Sequence, residues 1–399
     1  MRAVFAHDHV FLCHEDRVYS PGRLPYAAWH RYLEHFATLT VVARARVASS
    51  AAEVEGMSRA DGPSVQFAFQ GAERGVRRLV TRRFATHRDL RELILSADAV
   101  IARIPSRIGA AVAGFAATAR LPTAVEVVGS AFHALWHHGS IAAKVYAPVL
   151  DLQTKYAARR AGAALYVTKH YLQRRYPCSG PTASASNVVI PRPDASLLDA
   201  RRQRLRARQG PLVVGFVGTL IDRHKGLDTL LQALARTEER AIDCLLRVVG
   251  EGDQVPWRRM VQELGLTNRV EFVGALPGSA AVREWMQTID LFVLPSKGGE
   301  GLPRALIEAM SCGCLAYATD VGGVSELLPA SCLIGPGQSV RLAEKIVAAA
   351  SRPQLLVDAV NQNSAVAEEY SADVLEAVRR QFFGRLARQA QLRTNAADQ

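Results

Sequence analysis

Short apolar runs alternate with helix-length amphipathic stretches along the whole chain, and this alternation restricts the fold more than any other feature. Continuous Val, Ile and Leu runs are typical of strands buried on both faces of a parallel sheet, and strands that alternate with helices form α/β domains. The predicted strands of the first half are Ala3–Ala6, Leu39–Val42, Ala99–Ala102, Ala124–Val128 and Ala164–Val167, and those of the second half are Leu212–Val217, Leu245–Val249, Val270–Val273, Leu291–Leu294 and Leu315–Ala318.

The 399 residues exceed the usual size of one domain, so we expect two. Proline, glycine and arginine concentrate between Tyr176 and Gly210, which is typical of a linker, interrupted by one short strand at Asn187–Ile190. Doubly wound domains bind ligands outside the carboxyl ends of their strands, so we expect the chemistry in a cleft between the two. The expected segments are residues 1–195, residues 196–372, and a C-terminal helix with a polar tail over residues 373–399, where the helix could cross back to the first domain.

The net charge of +12 is unevenly distributed. Residues 1–200 carry 25 Lys and Arg against 15 Asp and Glu, whereas the residues after Arg208 carry 19 against 22. A basic half could attract nucleic acid, anionic lipid headgroups or an acidic acceptor, and it could equally be a solvated surface rich in arginine. One cationic stretch that could lie against an anionic membrane consists of Arg74, Arg77, Arg78, Arg82, Arg83, Arg88 and Arg91.

The expected location is the cytoplasm, with the inner face of the plasma membrane as an alternative. No segment approaches the roughly 20 apolar residues that a membrane-spanning helix needs, and the N-terminus reaches charged residues too early for a secretory signal. The six cysteines form neither a C-x2-C pair nor a disulfide framework. Cys312 and Cys314 are expected to be small buried side chains rather than metal ligands.

The most informative segment runs from Pro295 to Glu326 and reads PSKGGEGLPRALIEAMSCGCLAYATDVGGVSE. Its loop glycines allow the backbone to approach a ligand closely, and Pro303 suits the first position of a helix that reaches about Met310. Free amides at the positive end of a helix dipole bind anions, and a diphosphate fits such a site. The amides expected to face this anion are those of Gly301, Leu302 and Arg304.

Glu300 and Glu308 bracket this element with seven residues between them. The acid and base of a hydrolase face each other across one bond at about 5–9.5 Å. Glu308 instead lies more than a turn along the helix, at about 1.5 Å per residue. The two carboxylates are therefore better placed to hold two ends of one extended ligand, with Glu308 on ribose hydroxyls and Glu300 on a transferred sugar.

This segment resembles the E-x7-E signature of retaining glycosyltransferases with the GT-B fold, closest to glycosyltransferase family 4. Similar family stretches are GCLAYATDVGGVSEL, LVVGFVGTLIDRHKGLDTLLQAL and RVVGEGDQ. The resemblance covers nearly all of residues 211–335 and is weak over the first domain. It implies two Rossmann-like domains that transfer a sugar from a nucleotide diphosphate-sugar to an acceptor, in a bacterial polysaccharide or another cell-envelope glycan.

By this resemblance, Lys225 binds the donor diphosphate, where negative charge develops as the nucleotide leaves. The family usually has an arginine directly after the first glycine of this element, Gly218, but here the position is Thr219. Arg223 could supply the missing guanidinium, and Arg304 is another candidate.

Gly250 and Gly252 resemble a turn near the donor nucleotide. Glu251 and Asp253 lie in this glycine-flanked turn, and the chain contains no strict D-x-D, the acidic metal motif of the other major glycosyltransferase fold. We therefore expect neither a catalytic metal nor a cofactor.

In the first domain, the loop that contains Gly22 follows the first strand and precedes a predicted helix carrying Trp29. The resemblance implies that a glycine-containing loop at this place meets the donor phosphate and the acceptor, and Gly22 is the candidate. Asp8 and His9 near the end of the first predicted strand could also face the cleft. His133 lies where the family often has a histidine near the transferred sugar, and His137 and His138 compete for this role. With Glu300, Lys225 and Arg223, His133 completes the set of candidate catalytic residues.

The resemblance further implies front-face substitution, in which the leaving phosphate helps to remove the acceptor's proton. Three alternatives remain open. A nucleotide-sugar epimerase would need no acceptor, a phosphorylase would consume inorganic phosphate and usually carries a pyridoxal-phosphate lysine, and a nucleic-acid-binding protein would explain the basic charge.

Overall fold

The computed structural model describes residues 1–22, 24–70, 87–132, 141–238, 241–298 and 300–397. The chain divides into two compact units: unit 1 comprises Met1–Ala185 and Glu376–Gln399, and unit 2 comprises Ser186–Leu375. The C-terminal helix thus begins in unit 2 and continues in unit 1. Both units contain a largely parallel sheet flanked by helices, so the α/β architecture predicted from the alternating sequence pattern is confirmed.

The sheet of unit 1 has the strand order β4-β2-β1-β6-β7-β8-β9, with β3 paired to β1 and β5 paired to β3. Among the described strands of this sheet, only the β1–β2 and β2–β4 pairs are antiparallel. The strands are β1 Arg2–His14, β2 Arg17–Ser20, β3 Thr38–Val47, β4 Ser58–Arg59, β5 Val65–Phe69, β6 Ala99–Ile104, β7 Thr123–Val127, β8 Ala163–Tyr166 and β9 Thr182–Ser184.

The helices of unit 1 cover this sheet and bury apolar side chains against it. At the start of α3, Ser106 caps the helix by accepting a hydrogen bond from the amide of Gly109 at 2.8 Å. The described helices are α1 His30–Leu33, α2 His87–Leu95, α3 Arg107–Thr118, α4 Ile141–Arg160 and α5 Tyr171–Arg175. The helix predicted around Trp29 is shorter than expected, because a 3₁₀ turn at Tyr26–Trp29 precedes the single turn of α1.

The sheet of unit 2 is entirely parallel, with the order β12-β11-β10-β13-β14-β15. Strands β13 and β14 are buried along their whole length, as their continuous apolar sequences predict. The strands are β10 Leu212–Val217, β11 Cys244–Val249, β12 Val270–Gly274, β13 Leu291–Leu294, β14 Leu315–Thr319 and β15 Leu333–Ile334.

The helices of unit 2 pack on both sides of its sheet, and they position the loops at the carboxyl ends of the strands. The described helices are α6 Ala195–Arg206, α7 Leu227–Glu238, α8 Val255–Glu263, α9 Gly278–Met286, α10 Arg304–Ser311, α11 Ser339–Ser351, α12 Pro353–Glu368 and α13 Ala372–Ala397, the last being shared with unit 1. No helix in the described part of the chain is both long and apolar enough to cross a bilayer.

The interpretation of Tyr176–Gly210 as a linker is wrong for its second half. Asp194 caps helix α6, and Arg201 of this helix is 2% exposed. The Arg201 guanidinium donates to the carbonyls of Met286 at 3.1 Å and Ile289 at 2.7 Å, at the end of α9. Arg201 therefore satisfies one carbonyl at the end of a helix, where intrahelical partners are missing, and one just beyond that end.

The short strand predicted at Asn187–Ile190 is also wrong, because this segment forms only one isolated bridge, between Ile190 and Ser371. The strand of this region is Thr182–Ser184, which extends the sheet of unit 1. Polar and small residues dominate that strand, and therefore no apolar pattern marks it in the sequence.

Candidate functional site

The candidate site of unit 2 is centred on Glu300, in the loop between β13 and α10. Glu300 is only 7% exposed, and two side chains donate hydrogen bonds to the same carboxylate oxygen. Lys225 Nζ lies 2.6 Å from Glu300 Oε1, and Ser296 Oγ lies 2.6 Å from it. The structure thus brings together Lys225 and Glu300, which are 75 residues apart in the sequence.

Glycines allow the three loops around Glu300 to pack backbone against backbone. A Cβ added to Gly226 would lie 1.9 Å from the carbonyl oxygen of Pro295, and one added to Gly322 would lie 1.7 Å from that of Glu300. Both glycines have positive φ, +73° and +64°, which residues with a Cβ rarely adopt. The amide of Gly323 also donates to the Gly301 carbonyl at 2.8 Å.

A second ion pair lies beside the first and was not predicted from the sequence. Lys297 Nζ is 2.6 Å from Asp228 Oδ2, in the first turn of α7. The Lys297 amide donates to the carbonyl of His224 at 2.9 Å, which ties this loop to the segment that carries Lys225. No sequence motif identifies Asp228 or Ser296, because their contacts form only where separate loops come together in the fold.

The glycines predicted to contact the donor nucleotide form a close backbone crossing at the ends of β10 and β11. The Gly218 amide donates to the Val249 carbonyl at 3.0 Å, and a Cβ on Gly250 would lie 1.9 Å from the Gly218 carbonyl oxygen. Asp253 accepts a hydrogen bond from the Val255 amide at 2.9 Å, at the start of α8. Among the described residues, no three or more His, Cys, Asp or Glu side chains group as metal ligands would.

Glu308 lies on the second turn of α10 and is 3% exposed. Burial raises the pKa of its carboxyl group, and this rise is opposed by a hydrogen bond from Ser279 and by the charges of Arg304 and Arg283. The Arg304 guanidinium also donates to Ser279 Oγ at 3.2 Å. Glu308 is therefore a buried carboxylate on α10, the helix that begins directly after the loop of Glu300.

The prediction that Pro303 occupies the first helical position is wrong by one residue. Pro303 is the N-cap, with an extended ψ of 119°, and α10 begins at Arg304. The helix still starts directly after the loop glycines, and the Pro303 carbonyl accepts its bond from the Ile307 amide at 3.3 Å. Gly301, Leu302 and Arg304 thus lie at the N-terminal end of α10, which is partially positive.

Two further candidates of unit 2, Arg223 and Thr219, make no hydrogen bond with Glu300, Lys225 or Ser296 among the described contacts. The Arg223 side chain is exposed and has no side-chain partner among the described residues, while its carbonyl accepts from the Gly226 amide at 3.1 Å. Thr219 Oγ1 accepts from the Ile221 amide at 3.3 Å. The site is therefore built on Lys225, with Arg223 at its rim.

Several candidates of unit 1 are already engaged in local contacts. Gly22 is exposed, with a φ of +82°, and its amide donates to the Ser20 carbonyl at 2.7 Å. His9 Nε2 lies 3.0 Å from Ser20 Oγ. Asp8 pairs with Arg44 at 2.8 Å and accepts from the amide of Arg107 at the start of α3. The candidates His133, His137 and His138, and the arginines at 74, 77, 78, 82 and 83, lie outside the described residues.

Unit 1 contains a buried charged group that was not predicted from the sequence. Arg103 Nη2 lies 2.7 Å from Glu126 Oε2, and Tyr32 OH donates to Glu126 Oε1 at 2.6 Å. Although burial alone would raise the pKa of Glu126, the charge of Arg103 holds it below its usual value. Burial, followed by the charge of Arg103, lowers the pKa of the adjacent His7 to about 4.

Comparison with known proteins gives this geometry a context. Residues 211–352 match the family model described as Glycosyl transferases group 1. The chain is 28% identical over 347 residues to Protein CapJ of Staphylococcus aureus, which covers 87% of this chain and 85% of CapJ. It is 32% identical over 176 residues to the phosphatidyl-myo-inositol mannosyltransferase of Mycobacterium leprae, or 41% of each protein.

Solved structures share the fold of the whole chain. Anabaena HepE in complex with UDP is similar with a TM-score of 0.64 and 18% identity, covering 100% of both chains. The same protein in complex with UDP-glucose gives a TM-score of 0.61 and 19% identity, covering 98% of this chain and 99% of HepE. The GT-B fold implied by the resemblance is thereby confirmed. The chain has the GT-B fold, and its residues 211–352 match the family model of the group 1 glycosyltransferases.

Proposed function

We propose that this protein is a retaining, metal-independent glycosyltransferase, of the family 4 type, that uses a nucleotide diphosphate-sugar as donor. The observation that carries the proposal is the convergence of Lys225 and Ser296 on the buried carboxylate of Glu300, directly before helix α10. The complexes of HepE with UDP and UDP-glucose support a donor of this class.

In this proposal the diphosphate binds at the N-terminal end of α10. Lys225 supplies a mobile positive charge, and the amides of Gly301, Leu302 and Arg304 supply oriented donors. Arg223 at the rim is exposed and able to turn toward the phosphates. Gly218, Thr219 and Gly250 form the backbone floor against which the nucleotide packs, since their close crossing leaves no side chain between backbone and ligand.

The two carboxylates of the E-x7-E motif have separate roles in this proposal. Glu308 accepts hydrogen bonds from the ribose hydroxyls, which would compensate a buried carboxylate whose pKa is raised by desolvation. Glu300 accepts hydroxyls of the transferred sugar and positions it for reaction. Positive charge from lysine, arginine and a helix N-terminus stabilises the leaving diphosphate, so no metal is required.

The proposed reaction is front-face substitution at the anomeric carbon. The bond from this carbon to the phosphate oxygen breaks, and a bond to the acceptor oxygen forms on the same face, so the configuration is retained. The proton of the acceptor hydroxyl passes to the leaving phosphate oxygen. Gly22 and His133 remain candidates of unit 1 for contact with the donor, and His133 lies outside the described residues.

The proposed acceptor is a cell-envelope glycan or a lipid-linked precursor of one. The M. leprae relative, which is named for mannosyl transfer to phosphatidyl-myo-inositol, supports a lipid-linked acceptor. The proposed location is the cytoplasm, with peripheral contact at the inner face of the plasma membrane through the basic surface of the first half. Nucleic acid is not a proposed partner, because the site in unit 2 would then have no role.

The test is a thermal-shift screen of the purified chain against UDP, GDP, ADP and their sugar conjugates. A donor present at a hundredfold excess over its dissociation constant stabilises the folded state by about 2.7 kcal/mol. We expect a shift with one nucleotide that is lost in Glu308→Ala, while Glu263→Ala, an exposed carboxylate on α8, serves as the matched control.

Absence of a shift with every nucleotide, in protein shown to be folded by circular dichroism, would refute the proposed donor class. Turnover of the donor that is equal with and without acceptor would favour an epimerase. A requirement for inorganic phosphate would favour a phosphorylase, and strongly salt-dependent binding to duplex DNA without nucleotide binding would favour a nucleic-acid-binding protein.

A further inference from the structure

Helix α4 presents a continuous stripe of large apolar side chains to solvent. The side chains of the stripe are 45–80% exposed. They follow one another at intervals of four, four, three and four residues, which places them on one helical face. Single exposed apolar residues are common on protein surfaces, but a stripe along a whole helix is not. The stripe consists of Ile141, Val145, Val149, Leu152 and Tyr156.

This stripe is not the face by which α4 packs in unit 1. The opposite side of the helix supplies the buried residues Ala147, Leu150, Thr154 and Ala157. At 100° per residue these lie across the helix from the stripe, so both faces of α4 are apolar. Because the inner face already secures the helix, the exposed stripe contributes little to folding and is available for a second contact.

The charges that flank the stripe have one sign. The sequence of α4 contains four cationic side chains and a single carboxylate, Asp151. Asp151 is 6% exposed and is neutralised by Lys155 at 2.9 Å and by Arg175 at 2.8 Å. The exposed face of α4 therefore has no free negative charge to set against its positive charges. The four cationic residues are Lys144, Lys155, Arg159 and Arg160.

A basic depression lies beside this face, at the junction of α4 with α5. Its lining consists of Lys155, Tyr171, Arg174 and Arg175. The Arg174 side chain is exposed. Lys155 and Arg175 also pair with Asp151, so three cations against one carboxylate leave the depression with a net positive charge that suits phosphate. Such a depression next to an apolar stripe matches the two parts of a phospholipid, an anionic headgroup and an acyl chain.

We propose that α4 is an interfacial helix that docks unit 1 on a bilayer containing anionic phospholipid. Its apolar stripe enters the boundary between headgroups and acyl chains, and its flanking cations contact headgroup phosphates. The inference rests on the membrane setting of the proposed function, and it assigns the contact to α4 rather than to the cationic stretch between Arg74 and Arg91. Docking there would hold the enzyme at the surface where a lipid-linked acceptor lies.

The test is co-sedimentation of the full chain with vesicles of phosphatidylcholine and phosphatidylglycerol, compared with phosphatidylcholine alone. We expect binding to the anionic vesicles that weakens as salt is added. Ile141→Ser with Leu152→Ser should weaken binding about a hundredfold, because two large side chains no longer enter the bilayer. Lys144→Gln with Arg159→Gln should weaken it about fivefold for each removed charge.

Matched controls carry the same changes elsewhere on the surface. Leu392→Ser with Val340→Ser removes two exposed apolar side chains from α13 and α11, and Arg206→Gln with Arg393→Gln removes two exposed charges. Both control proteins should bind vesicles like the wild type. Each variant is also tested for stabilisation by the donor nucleotide, which reports on the site in unit 2.

Wild-type protein that fails to bind anionic vesicles would overturn the proposal. Equal vesicle binding by the wild type and the Ile141→Ser, Leu152→Ser protein would overturn it as well. A dimer that dissociates in this variant, without vesicle binding, would assign the stripe to contact between two copies of the chain. Vesicle binding without any nucleotide stabilisation would leave the membrane proposal standing and refute the proposed donor class.

Discussion

Replacing Gly322 by alanine is expected to displace Glu300 without changing any charged group. A Cβ at this position would lie 1.7 Å from the Glu300 carbonyl oxygen, and Cβ atoms in proteins essentially never approach other atoms within 3.0 Å. The obstacle is backbone rather than the end of a flexible side chain, so the loop itself has to retreat. The carboxylate held by Lys225 and Ser296 is attached to that backbone and moves by roughly 1 Å with it.

The expected magnitudes follow from this displacement. A shift of about 1 Å in a positioning group lowers turnover about a hundredfold, or about 2.7 kcal/mol in activation free energy. The φ of +64° at Gly322 adds a conformational penalty of about 1–3 kcal/mol to the free energy of folding when alanine occupies the position. The variant should therefore fold with reduced stability and turn over donor very slowly.

Gly265→Ala is the matched control, because alanine there also has to adopt a positive φ but its Cβ does not clash with a neighbouring backbone atom. Gly265 has a φ of +71° after α8, and a Cβ there would meet nothing within 4 Å. The assay is release of nucleoside diphosphate from the donor found by the thermal-shift screen, together with urea unfolding of both variants. If Gly322→Ala matched the kcat of Gly265→Ala, the position of Glu300 would not control turnover and the reasoning would be refuted.

Three further predictions follow from the same structure. Glu300→Gln should lower kcat far more than donor affinity, and calorimetric loss of affinity with normal turnover per bound donor would contradict the positioning role. Burial raises the pKa of Glu308 above its unfolded value of 4.5, so the free energy of unfolding falls as pH rises above 4.5 and the carboxyl group has to ionise in the folded protein. Without ligand, Glu308→Gln should therefore be more stable than the wild type in urea unfolding near neutral pH, yet bind donor more weakly. For His7, burial and then Arg103 lower the pKa from 6.5 to about 4, so the wild type should lose about 3 kcal/mol of stability as pH falls across that interval. His7→Gln should lack this slope, and an unchanged slope in urea titrations would assign the acid sensitivity to other groups.

Five of the six strands of unit 2, β10 to β14, could be predicted within one residue because their sequences are continuous apolar runs bounded by turns, whereas the two-residue strand β15 was not predicted. The strands of unit 1 are harder to predict, because β1 continues from Arg2 to His14 through the polar segment His7–His9. Beyond that segment, the apolar run from Val10 to Cys13 continues the strand and pairs with β2 and β3, but the polar interruption hides this continuity in the sequence. Pairing partners distant in sequence are not visible in a local window, and this explains why the predicted strand Ala3–Ala6 was too short.

The site was predictable to the extent that it depends on one segment. The glycine loop, Glu300 and Glu308 follow one another in the sequence, and their spacing alone separates them along a helix. The ion pair of Lys297 with Asp228 and the close packing of Gly322 against the Glu300 carbonyl form where separate loops converge. The spacing of residues within one segment therefore cannot predict either contact. Similarly, the arginine run suggested a linker, whereas Arg201 is buried at the end of α9.

The ion pair of Lys225 with Glu300 links the two halves of the proposed chemistry. The lysine, which is 25% exposed, neutralises a carboxylate that is 7% exposed, and Ser296 donates to the same oxygen. A diphosphate adjacent to Lys225 would compete for its ammonium, because one flexible point charge cannot satisfy both anions fully. Glu300 would then keep the Ser296 hydroxyl and have an oxygen available for sugar hydroxyls, whose hydrogen bonds offset the lost ion pair. On this argument, donor binding itself converts Glu300 from a partner of lysine into a partner of the sugar, and a donor that lacks the sugar would leave the carboxylate incompletely paired.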